Sequence, residues 1–504
     1  MTPLSVIVTV LAYIAVLFIV AYWSGRKTDN AGFFTGNRKT PWFIAAFAMV
    51  GAAISGVTFI SVPGSVAADG FSYMQMVLGF FVGYLIIAFV LIPLFYRMNV
   101  VSLYEYLDTR FGVMSHKTGA WFFFISKMLG AALRAYVVCA VLQLLVFDQY
   151  NLPFVWNMII MMLLVWLYTK QGGVKSIVWT DTLKTVCLIG SVVLCIVFIM
   201  KDMGLSFSSM TSQIADHEYS KMFFFDDVDD SRYFWKKFLA GIFMVIAMTG
   251  LDQDMMQRTL SCKNPKDSQK NLIISILMQM VVIFLFLVLG VLLFIFLSRE
   301  NIVTGTESLF PMVDASGTPV IDKSDQVFSF IAVDGGFPAI VGILFVLGLI
   351  SSTYSAAGSA LTALTTSYTV DILEGTKKYD DQKLTKVRKR VHIGMTVIMG
   401  LAILVFNRWG NDSVINLVYS VASYTYGPIL GMFAFGILFK AKVNDRYMPL
   451  VAIIAPILSF VIQKFAPVIF NGYQIGFELL IINALLTMIG MAMLIRKKES
   501  PQTV

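Results

Sequence analysis

The chain has 504 residues, of which 58% are hydrophobic and only 13% are charged. A soluble domain could not carry so apolar a composition on its surface, so we expect an integral membrane protein without a separate soluble domain. The net charge of +8 does not indicate nucleic-acid binding, because most basic residues stand in short loops between apolar segments, where they set membrane topology.

Apolar segments of roughly 18 to 28 residues recur along the whole chain, and each could cross a hydrocarbon core of about 30 Å as a helix. They are continuously apolar, which predicts an all-α helical bundle and excludes the alternating pattern of a membrane β-barrel. The first segment lacks a basic leader and a cleavage site, so we interpret it as a retained helix. We predict about thirteen transmembrane helices, at residues 4–23, 42–68, 75–96, 119–146, 153–169, 176–200, 234–257, 271–298, 336–370, 388–407, 412–439, 446–465 and 477–495.

Lys and Arg accumulate in alternate loops between these segments, as the positive-inside rule requires of a correct assignment. The opposite loops are neutral or acidic, for example at Asp226, Asp227, Asp229 and Asp230. We therefore predict a multi-pass protein of the inner (plasma) membrane, with its N-terminus outside and its C-terminus in the cytoplasm.

The second segment is unusually poor in helix-forming residues for the middle of a membrane helix. It contains Gly51-Ala-Ala-Ile-Ser-Gly56, followed by Thr58, Ser61 and Pro63. Unwinding here would free backbone carbonyls, which cost several kcal/mol in hydrocarbon unless they are buried, hydrated or bound to an ion. We predict a helix break at this point. The alternative is an unbroken helix with a packing face of small residues.

The ninth segment carries a row of hydroxyl side chains on one helix face. Ser352, Ser355, Ser359, Thr362 and Thr366 follow one another at three- and four-residue spacing, which stacks them along one side of a helix. Hydroxyls that face the freed carbonyls of the second segment would offer a hard cation such as sodium a shell of oxygen ligands. The alternative is that they bond to their own helix or to neighbouring helices.

Two ionisable residues stand at depths where a charge costs about 3 kcal/mol or more unless it is paired or hydrated. Arg134 lies near the middle of the fourth segment, and its planar fork suits a substrate carboxylate. Asp181 lies just inside the sixth segment, either in a functional site or in an interfacial pair with Lys184. A structural pair is the alternative for Arg134.

Other charged residues within the segments receive no functional assignment from the sequence. Lys127 lies seven residues before Arg134 and has no obvious partner. Asp252, Asp254 and Arg258 cluster at the cytoplasmic end of the seventh segment. A gate and an ordinary interfacial network would look alike there, and we expect the network.

Five sequence motifs occur in order along the chain. They are GFFTGNRKTPWF (Gly32 to Phe43), SLYEYLDTRFG (Ser102 to Gly112), GGVKSIVWTDTLKT (Gly172 to Thr185), LDQDMMQRTLSCKNPKDSQK (Leu251 to Lys270) and SAAGSALTALTTSYTVDIL (Ser355 to Leu373). Together they make the chain resemble the sodium/solute symporter family over nearly its whole length. The resemblance implies a leucine-transporter-like fold with a five-plus-five inverted-repeat core and alternating access. It divides a single transporter domain into a peripheral first helix at 1–30, repeats at 40–200 and 232–440, and two peripheral helices at 445–496.

The same resemblance implies where sodium ions bind. The main site would use the backbones of Gly51 and Ile54 with Ser352 and Ser355, and the chain departs from many members by carrying Ala356 in place of a hydroxyl residue. Some members have a second site, which would use Asp181 and Ser359 here, but Gly358 replaces another expected hydroxyl. The number of ions, one or two, stays open.

The resemblance also suggests a substrate class. Members that carry sialic acid have an Arg in the fourth span, a Gln opening the third and hydroxyls just past the first break, and this chain offers Arg134, Gln75, Ser55 and Thr58 at similar places. We therefore expect an acidic solute, sialic acid or another carboxylate. Sugars, amino acids and vitamins are the alternatives.

Three other classes of membrane protein compete with a transporter. A channel needs no solute-binding polarity at mid-membrane, a sensor needs an attached signalling domain, and a membrane enzyme usually shows a His, Asp or Cys cluster at one interface. The histidines here, His116, His217 and His392, are scattered in the sequence. We expect a sodium-coupled symporter and no enzyme. Its cofactor would be Na⁺ and its partners the solute, sodium and the lipid bilayer, without an obligate protein partner.

Overall fold

The computed structural model of this chain describes residues 3–25, 38–100, 102–299, 326–334, 336–409, 414–469 and 472–495. Residues 32–37 of the first family motif and residues 26–30 of the first predicted domain lie outside these ranges. Within the described ranges the backbone is helical and has no β-strand, only two isolated bridges. The helices are α1 (Pro3–Gly25), α2 (Trp42–Ala53), α3 (Gly56–Asp69), α4 (Tyr73–Met98), α5 (Glu105–Arg110), α6 (Val113–Leu142), α7 (Phe154–Asp202), α8 (Phe207–Ala215), α9 (Phe234–Gly250), α10 (Gln253–Leu260), α11 (Pro265–Arg299), α12 (Gln326–Asp334), α13 (Ala339–Ile372), α14 (Gly375–Lys378), α15 (Asp381–Trp409), α16 (Val414–Leu438), α17 (Met448–Ile469) and α18 (Leu479–Met493).

The predicted membrane segments coincide with helices. In the part of the chain that the structure describes, eight helices are long and apolar enough to span a bilayer, and two bent helix pairs raise this number to ten. Three shorter apolar helices, Ile7–Ile19, Phe154–Lys170 and Leu479–Met493, fall on the remaining predicted segments. The all-helical fold class is therefore confirmed, whereas the count of thirteen spans stays a prediction.

One predicted boundary is wrong. The apolar pattern predicts one helix that ends at residue 169 and another that begins at 176, but α7 continues as one helix from Phe154 to Asp202. The segment between the two apolar sections contains Gly172 and Gly173 but no proline. Glycine lowers helix propensity by only about 1 kcal/mol, so two glycines do not oblige a helix to end.

The predicted break in the second span is confirmed. The chain bends by 55° between α2 and α3, where Ile54 leaves the helical region with φ −86° and ψ 99°. Ser55 caps α3, since its side-chain oxygen accepts a hydrogen bond from the backbone N–H of Thr58 at 3.3 Å. The last carbonyls of α2 consequently have no intrahelical partner.

A second break, which the sequence analysis did not predict, interrupts the seventh span. The chain bends by 69° between α9 and α10. Asp252 is extended, with φ −93° and ψ 120°, and its carboxylate accepts the backbone N–H groups of Asp254 at 2.8 Å and Met255 at 3.1 Å. The continuous span expected at 234–257 is therefore wrong, because an aspartate N-cap starts a new helix in its last third.

Two glycines hold the first break against the helices beside it. A Cβ atom on Gly51 would lie 2.4 Å from the Thr185 hydroxyl oxygen and 2.6 Å from the Asp181 carbonyl oxygen, both on α7. A Cβ atom on Gly56 would lie 2.5 Å from the Ser352 hydroxyl oxygen on α13. The break thus lies between the helix that carries Asp181 and the helix that carries the hydroxyl row.

Candidate functional site

A cavity lies beside both helix breaks, and its wall mixes apolar, hydroxyl and charged side chains. It is bounded by α2, α3, α4, α6, α9, α10, α11, α13 and α16. The N-termini of α3 and α10 both reach it, so the positive ends of two helix dipoles lie at the cavity. The polar lining includes Ser55, Thr58, Ser126, Lys127, Arg134, Thr249, Asp252, Asp254, Arg258, Ser355, Ser359, Tyr419 and Tyr426.

Three of the residues predicted for the main sodium site, Gly51, Ile54 and Ser352, lie at or beside the first break. Gly51 and Ile54 supply the end of α2, and Gly56, just past the break, contacts Ser352 closely. Ser352 is fully buried, and its hydroxyl has no hydrogen-bond partner among the described residues. A buried hydroxyl without a partner costs about 1 to 3 kcal/mol, so an oxygen at this position is available to a cation.

Asp181 is fully buried, and both of its carboxylate oxygens are already engaged. Oδ1 accepts the hydroxyl of Ser355, and Oδ2 accepts Nε of Arg258 at 3.0 Å. The structure thus joins Asp181 to Ser355, which was predicted for the main sodium site, and to Arg258, which was predicted for an interfacial network. An interfacial pair with Lys184 is not what the structure contains, because the partner of Asp181 comes from α10.

A chain of buried ion pairs continues from Arg258 along the wall of the cavity. The Arg258 guanidinium donates to Asp254 Oδ1 at 2.7 Å, and Lys127 lies 2.7 Å from Asp254 Oδ2 and 3.1 Å from Asp252 Oδ2. The Tyr426 hydroxyl donates to Asp252 Oδ2 at 2.5 Å. These residues are buried, so the expectation of an ordinary interfacial network is wrong for Asp252, Asp254 and Arg258.

Lys184 is the buried cation that this network does not bind. It is fully buried, and its ammonium group has no hydrogen-bond partner in the described ranges. It interacts electrostatically with Asp181, Arg258, Arg134 and Asp254. The interior near the break therefore holds a positive charge that no carboxylate contacts directly.

The residues predicted to bind the solute divide into two groups. Ser55, Thr58 and Arg134 line the cavity, and the first two hydroxyl oxygens are 3.2 Å apart. Gln75 does not line it. Its amide nitrogen donates to the Arg232 carbonyl at 2.8 Å and its amide oxygen accepts the Phe224 N–H at 3.2 Å, so Gln75 fastens α4 to the loop before α9.

Arg134 differs from the other cations in the cavity wall. It is half-buried, and among the residues that the structure describes none forms a hydrogen bond or an ion pair with its guanidinium. Lys127 and Arg258 are matched by Asp252 and Asp254. Arg134 thus offers its planar fork to the cavity without a protein carboxylate to neutralise it.

The hydroxyl row on α13 divides into residues that face the candidate site and residues that bond to their own helix. Ser355 and Ser359 donate to Asp181 and, at 3.2 Å, to Asp254, whereas Thr362 and Thr366 donate to the carbonyls of their own helix at 3.0 and 2.9 Å. Ser355 and Ser359 therefore belong to the candidate site. The hydroxyls of Thr362 and Thr366 are satisfied by their own helix.

The sequence contained a signal for the residues that were missed. Gly250 followed by Leu251 and Asp252 is the sequence of a helix end and a new aspartate N-cap, and this would have predicted the second break. The partner of Lys127 could not be read in the same way, because Asp252 is 125 residues away in the chain.

Comparison with known proteins gives a consistent result. A profile of the Sodium:solute symporter family matches residues 33–447. The chain is 24% identical to the sodium-coupled monocarboxylate transporter 2 of Danio rerio, over 84% of this chain and 67% of the relative. It is also 24% identical to the sodium/sialic acid symporter NanT of Aliivibrio fischeri, over 90% of this chain and 86% of the relative.

Some relatives are longer than this chain. The match to the human sodium/iodide cotransporter is 23% identical over 83% of this chain but covers only 62% of that protein. The chain thus spans 62 to 67% of the length of the animal relatives named here.

Solved structures share the fold. The substrate-bound, outward-open structure of a Na⁺-coupled sialic acid symporter superposes with a TM-score of 0.79 at 19% identity, covering 97% of both chains. Mhp1, a nucleobase-cation-symport-1 family transporter with bromovinylhydantoin bound, superposes with a TM-score of 0.53 at 14% identity, over 93% of this chain and 94% of its own. These neighbours have the leucine-transporter-like fold that the sequence motifs implied.

Proposed function

The chain belongs to the sodium:solute symporter family, a family of transporters and not of enzymes, and from this premise we propose that it couples inward sodium movement to uptake of a small organic acid. Sialic acid and other carboxylates are the solutes that the proposal names. Its relatives include symporters named for monocarboxylates and for sialic acid.

The main observation that favours an acidic solute is the Arg134 guanidinium in the cavity wall, which has no ion-pair partner among the described residues. The lining contains three cations, Lys127, Arg134 and Arg258, and two carboxylates, Asp252 and Asp254. Its fixed charge is thus +1 without a solute. A solute carboxylate would neutralise this charge through a bidentate pair with Arg134, and a neutral sugar would leave it uncompensated.

The end of the first broken helix supports the same solute. Ser55 and Thr58 stand at the N-terminus of α3 and line the cavity. Anions are favoured at helix N-termini by the helix dipole and by backbone N–H groups there. We therefore place the solute carboxylate between Arg134 and this helix end.

The main sodium ion would lie on the other side of the break, on the carbonyls of Gly51 and Ile54 and the hydroxyls of Ser352 and Ser355. All four are neutral oxygen donors, which suits a hard monovalent cation. The ion would hold the end of α2 to α13. Its binding would thereby favour one arrangement of the helices around the cavity, as alternating access requires.

Two layers of contacts would gate the cavity from opposite sides. The hydroxyls of Tyr73 and Tyr419 meet at 2.9 Å on one side, and the ion-pair network of Arg258 and Lys127 closes the other. In the proposed topology, with the N-terminus outside and the C-terminus in the cytoplasm of a plasma membrane, the tyrosine pair faces outward. Residues 40–200 and 232–440 would form the two inverted repeats, flanked by peripheral helices at 1–30 and 445–496.

Uptake into proteoliposomes tests the proposal. The purified full-length chain is reconstituted, and accumulation of labelled sialic acid, monocarboxylates, neutral sugars and amino acids is measured with an inward sodium gradient and with potassium replacing sodium. We expect sodium-dependent uptake of an acidic solute, lost in Ser352→Ala. Equal uptake in potassium would overturn the coupling, and uptake of neutral solutes alone would overturn the substrate class.

A further inference from the structure

The buried charges near the first break bear on the number of sodium ions that accompany one solute. Resting on that proposed function, we propose that cations of the protein itself take the electrostatic place of a second sodium ion. Lys184 is the residue that limits the chain to one sodium ion per solute.

The carboxylate that a second ion would need is already occupied. Asp181 receives Ser355 on one oxygen and the Arg258 guanidinium on the other. Ser359, the other predicted ligand, donates to Asp254. A sodium ion at this place would have to displace a buried ion pair, and removing one partner from such a pair is strongly unfavourable.

The space beside Asp181 is also filled. A Cβ atom on Gly358 would lie 1.8 Å from the Tyr168 hydroxyl oxygen, and that hydroxyl donates to the Tyr354 carbonyl. No side-chain oxygen can therefore be supplied from position 358. Position 358 carries no hydroxyl side chain because the phenol of Tyr168 fills the space that such a side chain would need.

The charge count of the interior leads to the same conclusion. The described residues around the break and in the cavity wall include three carboxylates and four cations. The carboxylates are Asp181, Asp252 and Asp254, and the cations are Lys127, Arg134, Lys184 and Arg258. If Arg134 binds the solute carboxylate, the remaining three cations balance the three carboxylates. One sodium ion can bind to neutral oxygens, but a second finds no carboxylate with uncompensated charge.

Lys184 decides this balance because, once Arg134 binds the solute, it is the remaining cation of the four that no described carboxylate contacts directly. Arg258 and Lys127 each bridge two carboxylates, whereas the Lys184 ammonium makes no hydrogen bond within the described chain. Replacing it with an uncharged residue would leave the three carboxylates with two cations. The interior would then carry one negative charge that a second sodium ion could neutralise.

A measurable consequence concerns membrane potential. One sodium ion moving with one monovalent anion carries no net charge, so a tenfold sodium gradient, worth about 1.4 kcal/mol, limits accumulation to about tenfold at any potential. Two sodium ions would carry one net charge, and about 2.3 kcal/mol per 100 mV would be added. Accumulation would then depend on the potential.

Binding of ²²Na⁺ to the purified full-length chain tests the proposal without needing the solute. We expect one saturable site per chain in the wild type and in Lys184→Arg, which keeps the charge, and two sites in Lys184→Gln. Two sites in the wild type would overturn the proposal, as would a single site in well-folded Lys184→Gln. No sodium binding in the wild type would instead overturn the proposed function.

Flux in proteoliposomes gives an independent measurement should Lys184→Gln fail to fold. Steady-state accumulation of a transported monocarboxylate is measured under a tenfold sodium gradient, with and without a potassium diffusion potential that is negative inside. We expect the wild-type ratio to stay near tenfold in both cases. An increase of tenfold or more with the potential would overturn the one-ion stoichiometry while leaving sodium coupling intact.

Discussion

Arg134 provides the most direct test of how this chain recognises its solute. The change is Arg134→Ala, and the expected result is loss of the charge-assisted hydrogen bonds to the solute carboxylate. Hydrogen bonds to charged groups contribute about 1.5 to 3 kcal/mol, and each 1.4 kcal/mol is a factor of ten. We therefore expect KM for an acidic solute to rise by about 10- to 100-fold.

The structure predicts that this loss is not a folding defect. Arg134 has no carboxylate partner within the described ranges, so its removal leaves no buried protein charge unpaired. Arg258 is the contrasting case, since Arg258→Ala would strip Asp181 and Asp254 of a guanidinium at 3.0 and 2.7 Å. Breaking such a buried pair costs about 3 to 5 kcal/mol.

The assay compares initial uptake rates in proteoliposomes with thermal unfolding in detergent. Arg134→Ala should unfold near the wild-type temperature, and Arg258→Ala well below it. Arg134→Lys should fall between wild type and Arg134→Ala in KM, because it keeps the charge but loses the planar fork. A KM for the acidic solute within twofold of wild type in Arg134→Ala would refute the assignment, as would an equal loss for neutral solutes.

Three further variants test the packing and the charges around the site. Lys127→Met should destabilise the protein by about 3 to 5 kcal/mol, because it leaves two buried carboxylates without their shared ammonium, and a thermal shift below 1 °C would contradict the network. Gly358→Ser should abolish folding because its Cβ would lie 1.8 Å from the Tyr168 hydroxyl oxygen, and recovery of folded protein when Tyr168→Ala is added would identify that clash. Between the ninth and tenth predicted membrane segments, Lys117 and Lys378 hold the pKa of Glu374 down at about 2. Since the pKa of Glu374 is depressed in the folded state, the ionised carboxylate stabilises the folded protein above about pH 4.5, and this contribution is lost as pH falls toward 2. Melting curves of Glu374→Gln and wild type should thus converge only in that acid range, and convergence already at pH 6 would contradict the pairing.

Local sequence was sufficient to predict the class of protein and the first helix break. Continuous apolar segments imply membrane helices whatever their neighbours are, and the glycine-rich run from Gly51 to Gly56 lacks the propensity to continue a helix through the bilayer. The same holds for Ser352 and Ser355, since their shared face follows from helical spacing alone. Motif resemblance then supplied the family.

Tertiary packing decided which charges meet. Spacing along a helix can only suggest partners three or four residues apart, so it offered Lys184 to Asp181. In the structure Asp181 instead binds Arg258, 77 residues away, because the second break turns α10 back toward α7. Likewise, Nε2 of His116 lies 3.0 Å from Oδ1 of Asp371, although the two residues are 255 positions apart in the sequence. A long-range ion pair depends on how two helices are oriented in space, and that orientation is a property of the whole bundle.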